Sequence, residues 1–243
     1  MIPIGHEPIS RKTTPVIIYL LIIVNALVFL LEMISGEYFI ASYATVPYEI
    51  THNVDLIKPE FIKGIGEIIQ APSPHPIYLT LLTAMFMHGS LLHILGNMIY
   101  LWIFGEEIED NFGHLKFLVF YLLCGLLATL AYILIVPNST IPSLGASGAI
   151  AGILGSYIMI FPTHRIKTLV PLGFFASIME LPAIFVIGFW FVAQLLGQLA
   201  TSNSEDTGVA YMAHIGGFMV GVFLSRFFYK EITLSPIIGK FKD

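Results

Sequence analysis

Six stretches of the chain are almost wholly apolar, and polar or Gly/Pro-containing segments separate them. They cover residues 16–34, 83–105, 115–136, 147–161, 181–200 and 209–229. A hydrocarbon core about 30 Å thick needs roughly 20 mainly apolar residues per spanning helix, and each stretch approaches or meets that length. The pattern predicts an all-α, polytopic membrane protein, a six-transmembrane-helix bundle formed as a single domain over 1–243. There is no internal repeat and no low-complexity tract. The first stretch follows Arg11 and Lys12, as a signal peptide would. No small-residue cleavage site follows it, and Glu32 comes instead, so the expectation is a retained helix.

The connections differ in kind. The first outer loop, 36–80, is long, and Phe61, Ile62, Ile65, Ile68 and Ile69 would share one face of a helix there. That predicts a short amphipathic helix at the outer interface, weakened by Gly64 and Gly66. The second, 137–144, holds Pro137, Asn138 and Pro142 and reads as irregular. Its Asn138-Ser139-Thr140 sequon matters only in a glycosylating pathway. The third, 201–208, is short and polar. The fourth helix, 147–161, is about 22 Å long at about 1.5 Å per residue and cannot cross the core alone. Arg165 and Lys167 hold its inner end near the cytoplasmic surface, so its outer end should start below the outer surface. The loop before it then dips into the membrane, where irregular backbone requires a protein-lined or wet cavity.

Composition supports the same class. The chain is 56% hydrophobic and 11% charged, against about a quarter charged in soluble domains. With the N-terminus inside, the inner segments carry Arg11, Lys12, Lys116, Arg165, Lys167, Arg226, Lys230, Lys240 and Lys242, and the outer ones carry Lys58 and Lys63. This asymmetry predicts a multi-pass protein of the cell membrane with both termini cytoplasmic. The net charge of −5 carries little orientation information; Glu106, Glu107, Glu109 and Asp110 cluster inside. No basic patch points to nucleic acid. The single cysteine, Cys124, excludes an internal disulfide and reads as a small core residue.

Polar side chains inside these stretches are the candidates for chemistry. Ser147, in Gly145-Ala146-Ser147-Gly148, opens the short fourth helix. One reading is an N-cap whose hydroxyl satisfies a first-turn amide. The other is a nucleophile made approachable by flanking glycines, with first-turn amides able to stabilise an oxyanion. His214 lies near the start of the last helix, where an ionisable group either serves function or hydrogen-bonds between helices. Gly217 and Gly221 share its face, and Gly148, Ala151, Gly152 and Gly155 offer a matching surface, so close packing would bring His214 to Ser147. On the second helix His93 and Asn97 stack on one face. His88, about 140° away round the same helix, should point elsewhere. A His/Asn pair offers donors for a tetrahedral oxyanion, or a polar network between helices.

Together these residues offer nucleophile, base and oxyanion donors from three helices. The order His88-x4-His93-x3-Asn97, Gly145-x-Ser147-Gly148 and Ala213-His214-x-x-Gly217 resembles the rhomboid intramembrane protease family. The resemblance implies a Ser147–His214 dyad without an acidic third member. It implies an oxyanion hole of His93, Asn97 and the Ser147 amide, with His88, Gly145, Gly148 and Gly217 in support. It also implies a structural role for Glu109, no cofactor and no metal. The substrates it implies are single-span membrane proteins, entering from the lipid bilayer beside the fifth helix, where Phe185, Phe189 and Trp190 otherwise read as lipid-facing or packing aromatics. Many relatives carry a Trp-Arg pair where this chain has Leu79-Thr80.

Other chemistries fit less well. Zinc held by His88, His93 and His214 would make a metal-dependent membrane protease, but the helical two-histidine motif with its adjacent glutamate is absent. Asp206-Thr207-Gly208 is one short match to an aspartic protease, with no second copy. A transporter or channel would explain intramembrane polar groups, but these groups keep to the outer half and no inverted repeat is evident.

Overall fold

Apolar surroundings leave backbone amides and carbonyls no partner but each other, so the apolar stretches emerge as helices. The computed structural model describes residues 1–6, 13–62, 66–172, 175–201 and 210–229. The helices are α1 (Val16–Ser35), α2 (Glu37–Tyr43), α3 (Pro47–His52), α4 (Thr80–Thr83), α5 (Leu91–Phe112), α6 (His114–Ile135), α7 (Ser147–Ile160), α8 (Ala183–Thr201) and α9 (Tyr211–Phe228). Four of them, α1, α6, α8 and α9, are long and apolar enough to cross a membrane. A fifth candidate is a bent pair, the helical turns Ile77–Phe86 and α5, which meet at 77°. α7 is apolar but shorter, with 14 residues. Large apolar side chains such as Leu20, Leu27, Met33 and Ile34 on α1 face outward, a surface suited to hydrocarbon and costly in water.

Five helices begin and end within two residues of the apolar stretches, but the second does not. Ser90, extended at φ −162° and ψ 159°, caps α5, its Oγ accepting the His93 amide at 3.2 Å. α5 therefore starts at Leu91, and His88 precedes the helix, contrary to the expectation that placed it on the same helix as His93. At the other end α5 runs on through the acidic cluster. Glu109 accepts the Ile17 and Ile18 amides at 2.9 Å each, capping α1 where Pro15 has no side chain able to do so. Asp110 accepts the amide and hydroxyl of Thr13 at 2.7 and 2.9 Å. Glu107 takes the Tyr157 hydroxyl and meets His164 at 3.1 Å and His6 at 3.3 Å.

Strands add to the all-α expectation. β1 (Ile2–His6), β4 (Arg165–Leu172) and β5 (Phe175–Pro182) form an antiparallel sheet in the order β1-β4-β5. In the loop 36–80 β2 (Glu60–Ile62) pairs antiparallel with β3 (Gly66–Ile68), Phe61 opposite Glu67. The amphipathic helix expected over 61–69 is thus two short strands. The glycines weaken a helix, and cross-strand pairing satisfies the backbone instead; residues 63–65 lie outside the described residues. So do residues 202–208 of the loop 201–208 with Asp206-Thr207-Gly208, and the basic residues Arg11, Lys12, Lys63, Lys230, Lys240 and Lys242.

α7 is the centre of the bundle. Ten consecutive residues, Gly148 to Tyr157, are buried, and α9, α6 and α5 pack around it. A side chain added at Gly217 or Gly221 would run into the backbone oxygen of Gly148 or Gly152, and one at Gly155 into that of Phe218. α7 and α9 therefore touch backbone to backbone. Cys124 is buried against Gly152, as a small core residue would be.

The loop 36–80 is stitched to the loop before α7. Thr45 and Ser143 exchange backbone hydrogen bonds at 2.9 and 2.8 Å, Tyr48 N–H donates to the Ser139 carbonyl at 2.9 Å, and Thr51 Oγ1 donates to the Pro137 carbonyl at 2.7 Å. At Leu79-Thr80 the buried Thr80 carbonyl accepts the Thr45 hydroxyl at 2.8 Å. Thr80 thus joins the strapping of this loop without an arginine.

Candidate active site

Helix order brings the polar residues together. α5, α7 and α9 all begin at the same end of the bundle, and their first turns carry His93, Ser147 and His214. The Gly217–Gly148 contact sets α9 against α7 one turn below this level. The closeness expected from the small residues is found: His214 Nε2 lies 2.8 Å from Ser147 Oγ.

That contact takes the Ser147 hydroxyl away from the N-cap role. Ala146 is the N-cap of α7 and no side chain caps the helix. The Ser147 hydroxyl does not satisfy a first-turn amide; it engages the imidazole. As the first helical residue, Ser147 also presents one of the amides that no helical carbonyl can reach.

Gly145 makes room for this turn. Its φ of +125° is strained for any residue with a side chain. A Cβ there would lie 2.8 Å from His93 Nε2 and 3.6 Å from Ser147 Oγ. Its amide donates to the Ala84 carbonyl at 2.8 Å, tying the turn to the helical segment before α5.

Asn97 and His88 meet despite their separation in sequence. Asn97 Nδ2 lies 2.9 Å from His88 Nε2, and both side chains are buried. The His88 ring stands edge-on to His93 with centroids 5.1 Å apart. Because His88 sits in the extended approach to α5, its ring turns back onto the His93/Asn97 face. A buried carboxylate on α1 fixes that approach: Glu32 Oε1 accepts the His88 amide at 2.8 Å.

His93, Asn97, Ser147 and His214 line one cavity of about 740 Å³, bounded also by Ser143 and Leu144 of the preceding loop. Its described lining holds no Asp, Glu, Lys or Arg. Among the described residues no group of three or more His, Cys, Asp or Glu side chains is arranged to hold a metal ion.

Two residues of α8 at the site were not singled out from the sequence as site residues. Trp190, read there as a lipid-facing or packing aromatic, lines the cavity, its ring 5.9 Å from that of His214. Gln194 Oε1 lies 2.8 Å from His214 Nδ1. The available signal was a glutamine four residues after a tryptophan in an apolar helix, hence on the same face. Phe185 and Phe189 are exposed, away from this contact.

Comparison with known proteins points one way. The Rhomboid domain family model matches residues 76–231. The chain is similar to the rhomboid protease GluP of Bacillus subtilis, 33% identical over 143 residues, which is 59% of this chain and 24% of that protein. It is 29% identical over 154 residues to rhomboid-like protease 3 of Toxoplasma gondii, covering 63% of this chain and 53% of that one. It is 29% identical over 160 residues to the mitochondrial rhomboid protein 1 of Saccharomyces cerevisiae, 63% and 43% of the two. The matches thus span about a quarter to a half of the length of these relatives.

Proposed function

This chain belongs to the rhomboid family, and from that premise we propose that it is an intramembrane serine endopeptidase using Ser147 as nucleophile and His214 as general base. The observation that carries the reading is the 2.8 Å contact between Ser147 Oγ and His214 Nε2 in a cavity whose described lining has no charged side chain. Family membership and the apolar helices make it a multi-pass membrane protein. Six spans in a single domain, both termini in the cytoplasm and the cavity toward the outer face are part of the proposal.

A transmembrane segment of a single-span membrane protein enters from the bilayer, beside α8, and unwinds near the outer face. The Ser147 hydroxyl attacks the exposed carbonyl carbon as its proton passes to His214 Nε2. The oxyanion that forms sits between the Ser147 amide and the His93 and Asn97 side chains, a term worth about 3 to 4 kcal/mol per donor in a soluble serine protease. His214 returns the proton to the leaving amine. Water then enters the cavity and hydrolyses the acyl-enzyme, with His214 again as base. His88 acts from behind, its Nε2 accepting from Asn97. No step calls for a cofactor or metal.

The test is reconstitution of the purified chain in liposomes with single-span substrates and mapping of any cut by mass spectrometry. A cut within or beside the substrate's span that disappears in Ser147→Ala supports the reading. A transporter would leave every substrate intact, and a metalloprotease would cut with Ser147→Ala and stop in chelator.

A further inference from the structure

His214 has two ring nitrogens, and a general base toward Ser147 needs a lone pair on Nε2. The neutral ring meets that need only when its proton sits on Nδ1. What lies at Nδ1 therefore decides whether the pair can work. In this chain it is Gln194, on the neighbouring helix α8 and 9% exposed.

The amide of Gln194 can face His214 by its oxygen or its nitrogen, and its second contact chooses. Nε2 of Gln194 donates to the Trp190 carbonyl at 3.2 Å. A carbonyl only accepts, so the nitrogen belongs on that side. The oxygen is then turned to His214 Nδ1 at 2.8 Å. An amide oxygen only accepts as well, so Nδ1 carries the hydrogen and Nε2 presents its lone pair to the Ser147 hydroxyl at 2.8 Å.

We infer that Gln194 is a positioning residue of the site: anchored on the Trp190 carbonyl, its amide oxygen holds His214 in the tautomer and orientation whose Nε2 accepts the Ser147 proton. The inference rests on the proposed serine mechanism. Gln194 touches neither substrate nor reacting atom and acts only through His214. A neutral amide suits an apolar site better than a carboxylate, since it fixes the ring without burying a charge. The competing account is a hydrogen bond that merely fastens α8 to α9. That account predicts changes in stability but none in the tautomer.

The test uses the full chain, with Gln194→Leu to remove the acceptor and Gln194→Glu to keep it. Nitrogen-15 spectra of labelled histidine, with the His214 signals identified by their loss in His214→Ala, read the tautomer of the resting protein. The expected result is Nδ1–H in the parent and a shift toward Nε2–H in Gln194→Leu. For a single-span substrate, kcat should then fall about tenfold or more with KM unchanged, the scale of one oriented hydrogen bond, while melting stays near the parent's. Gln194→Glu, which keeps the acceptor but loses the donor to Trp190 and adds a charge, should restore the Nδ1–H tautomer and bring kcat part of the way back toward the parent's. The inference is overturned by an unchanged tautomer and kcat in Gln194→Leu, or by lost activity that follows lost melting temperature without recovery in Gln194→Glu. If the parent cleaves nothing, or cleaves without Ser147, the proposed function fails instead; the spectra on the resting protein still report on Gln194.

Discussion

The bundle has two polar ends, and they are built on opposite principles. At one, Ser147, His214, Gln194, Asn97 and His88 are neutral or weakly basic groups around an open cavity. At the other, Glu107 and Glu109 are buried carboxylates closed onto groups that never leave: the first amides of α1, the Tyr157 hydroxyl and neighbouring histidines. Both ends take polar groups out of water, which is tolerable only with partners. The difference lies in what those partners leave unspent. A carboxylate capping two amides has no capacity for a substrate. A serine hydroxyl held by one imidazole at the edge of a cavity does. A buried polar cluster is therefore read by whether its bonds close on the fold or open on a void.

Substitutions at the cavity end should sharpen that contrast most. Ser147→Ala and His214→Ala should each lower turnover about a thousandfold or more, with melting temperature and membrane insertion close to those of the parent. A variant that lost stability in step with activity would make the pair a structural element like the far end.

Asn97→Ala comes next. Loss of a donor used only in the transition state lowers kcat and leaves apparent substrate affinity unchanged. A fall of about a hundredfold is expected, smaller than for Ser147→Ala because other donors remain, and His93→Ala should cost at least as much. A marked drop in melting temperature with unchanged turnover per folded molecule would move Asn97 to the structural side.

Glu109→Ala is the mirror experiment. It uncaps α1 and strands two amides, so a loss of about 2 to 3 kcal/mol of stability is expected. Turnover per folded molecule should persist, since Glu109 is remote from the cavity. Lost turnover in a fully folded preparation would break the division between the two ends.

The smallest effect concerns the loop 36–80, which holds the segment before Ser147. Burial, with the Asp55 charge adding to it, pushes the Glu49 carboxyl up to about 6 from its ordinary 4.5, while the Leu56 amide it accepts opposes the shift. The folded chain holds this proton more tightly than the unfolded chain. The stability it contributes is thus full below about pH 4.5 and is lost as pH rises through 6. Melting of Glu49→Gln should lack that decline across the same range; an identical slope in both would remove Glu49 as its source.

Much of the cavity end was legible in the sequence, because apolar length, small-residue spacing and isolated polar residues are local signals. Ser147, His214 and the glycines between α7 and α9 stand out in that way, and the structure brings them together. His88 was misjudged because a cap at Ser90 starts α5 later than the apolar stretch begins, and hydropathy does not register a cap inside a hydrophobic run. Gln194 was overlooked because its meaning depends on which neighbour α8 turns toward, a fact of packing. β1 escaped notice because its pairing is non-local: it finds β4 more than 150 residues away. Glu109 was expected only by resemblance to be structural; its task as the cap of α1 is visible only when the two helices meet.

The most direct test is covalent. The chain, incubated with a serine-reactive fluorophosphonate until labelling is complete, should carry one adduct on Ser147 by peptide mapping, and cleavage of a single-span substrate should fall in proportion to the labelled fraction. Cleavage that persists with Ser147 fully modified, or an adduct on another residue whose formation tracks the loss of activity, would contradict the assignment of Ser147 as the nucleophile.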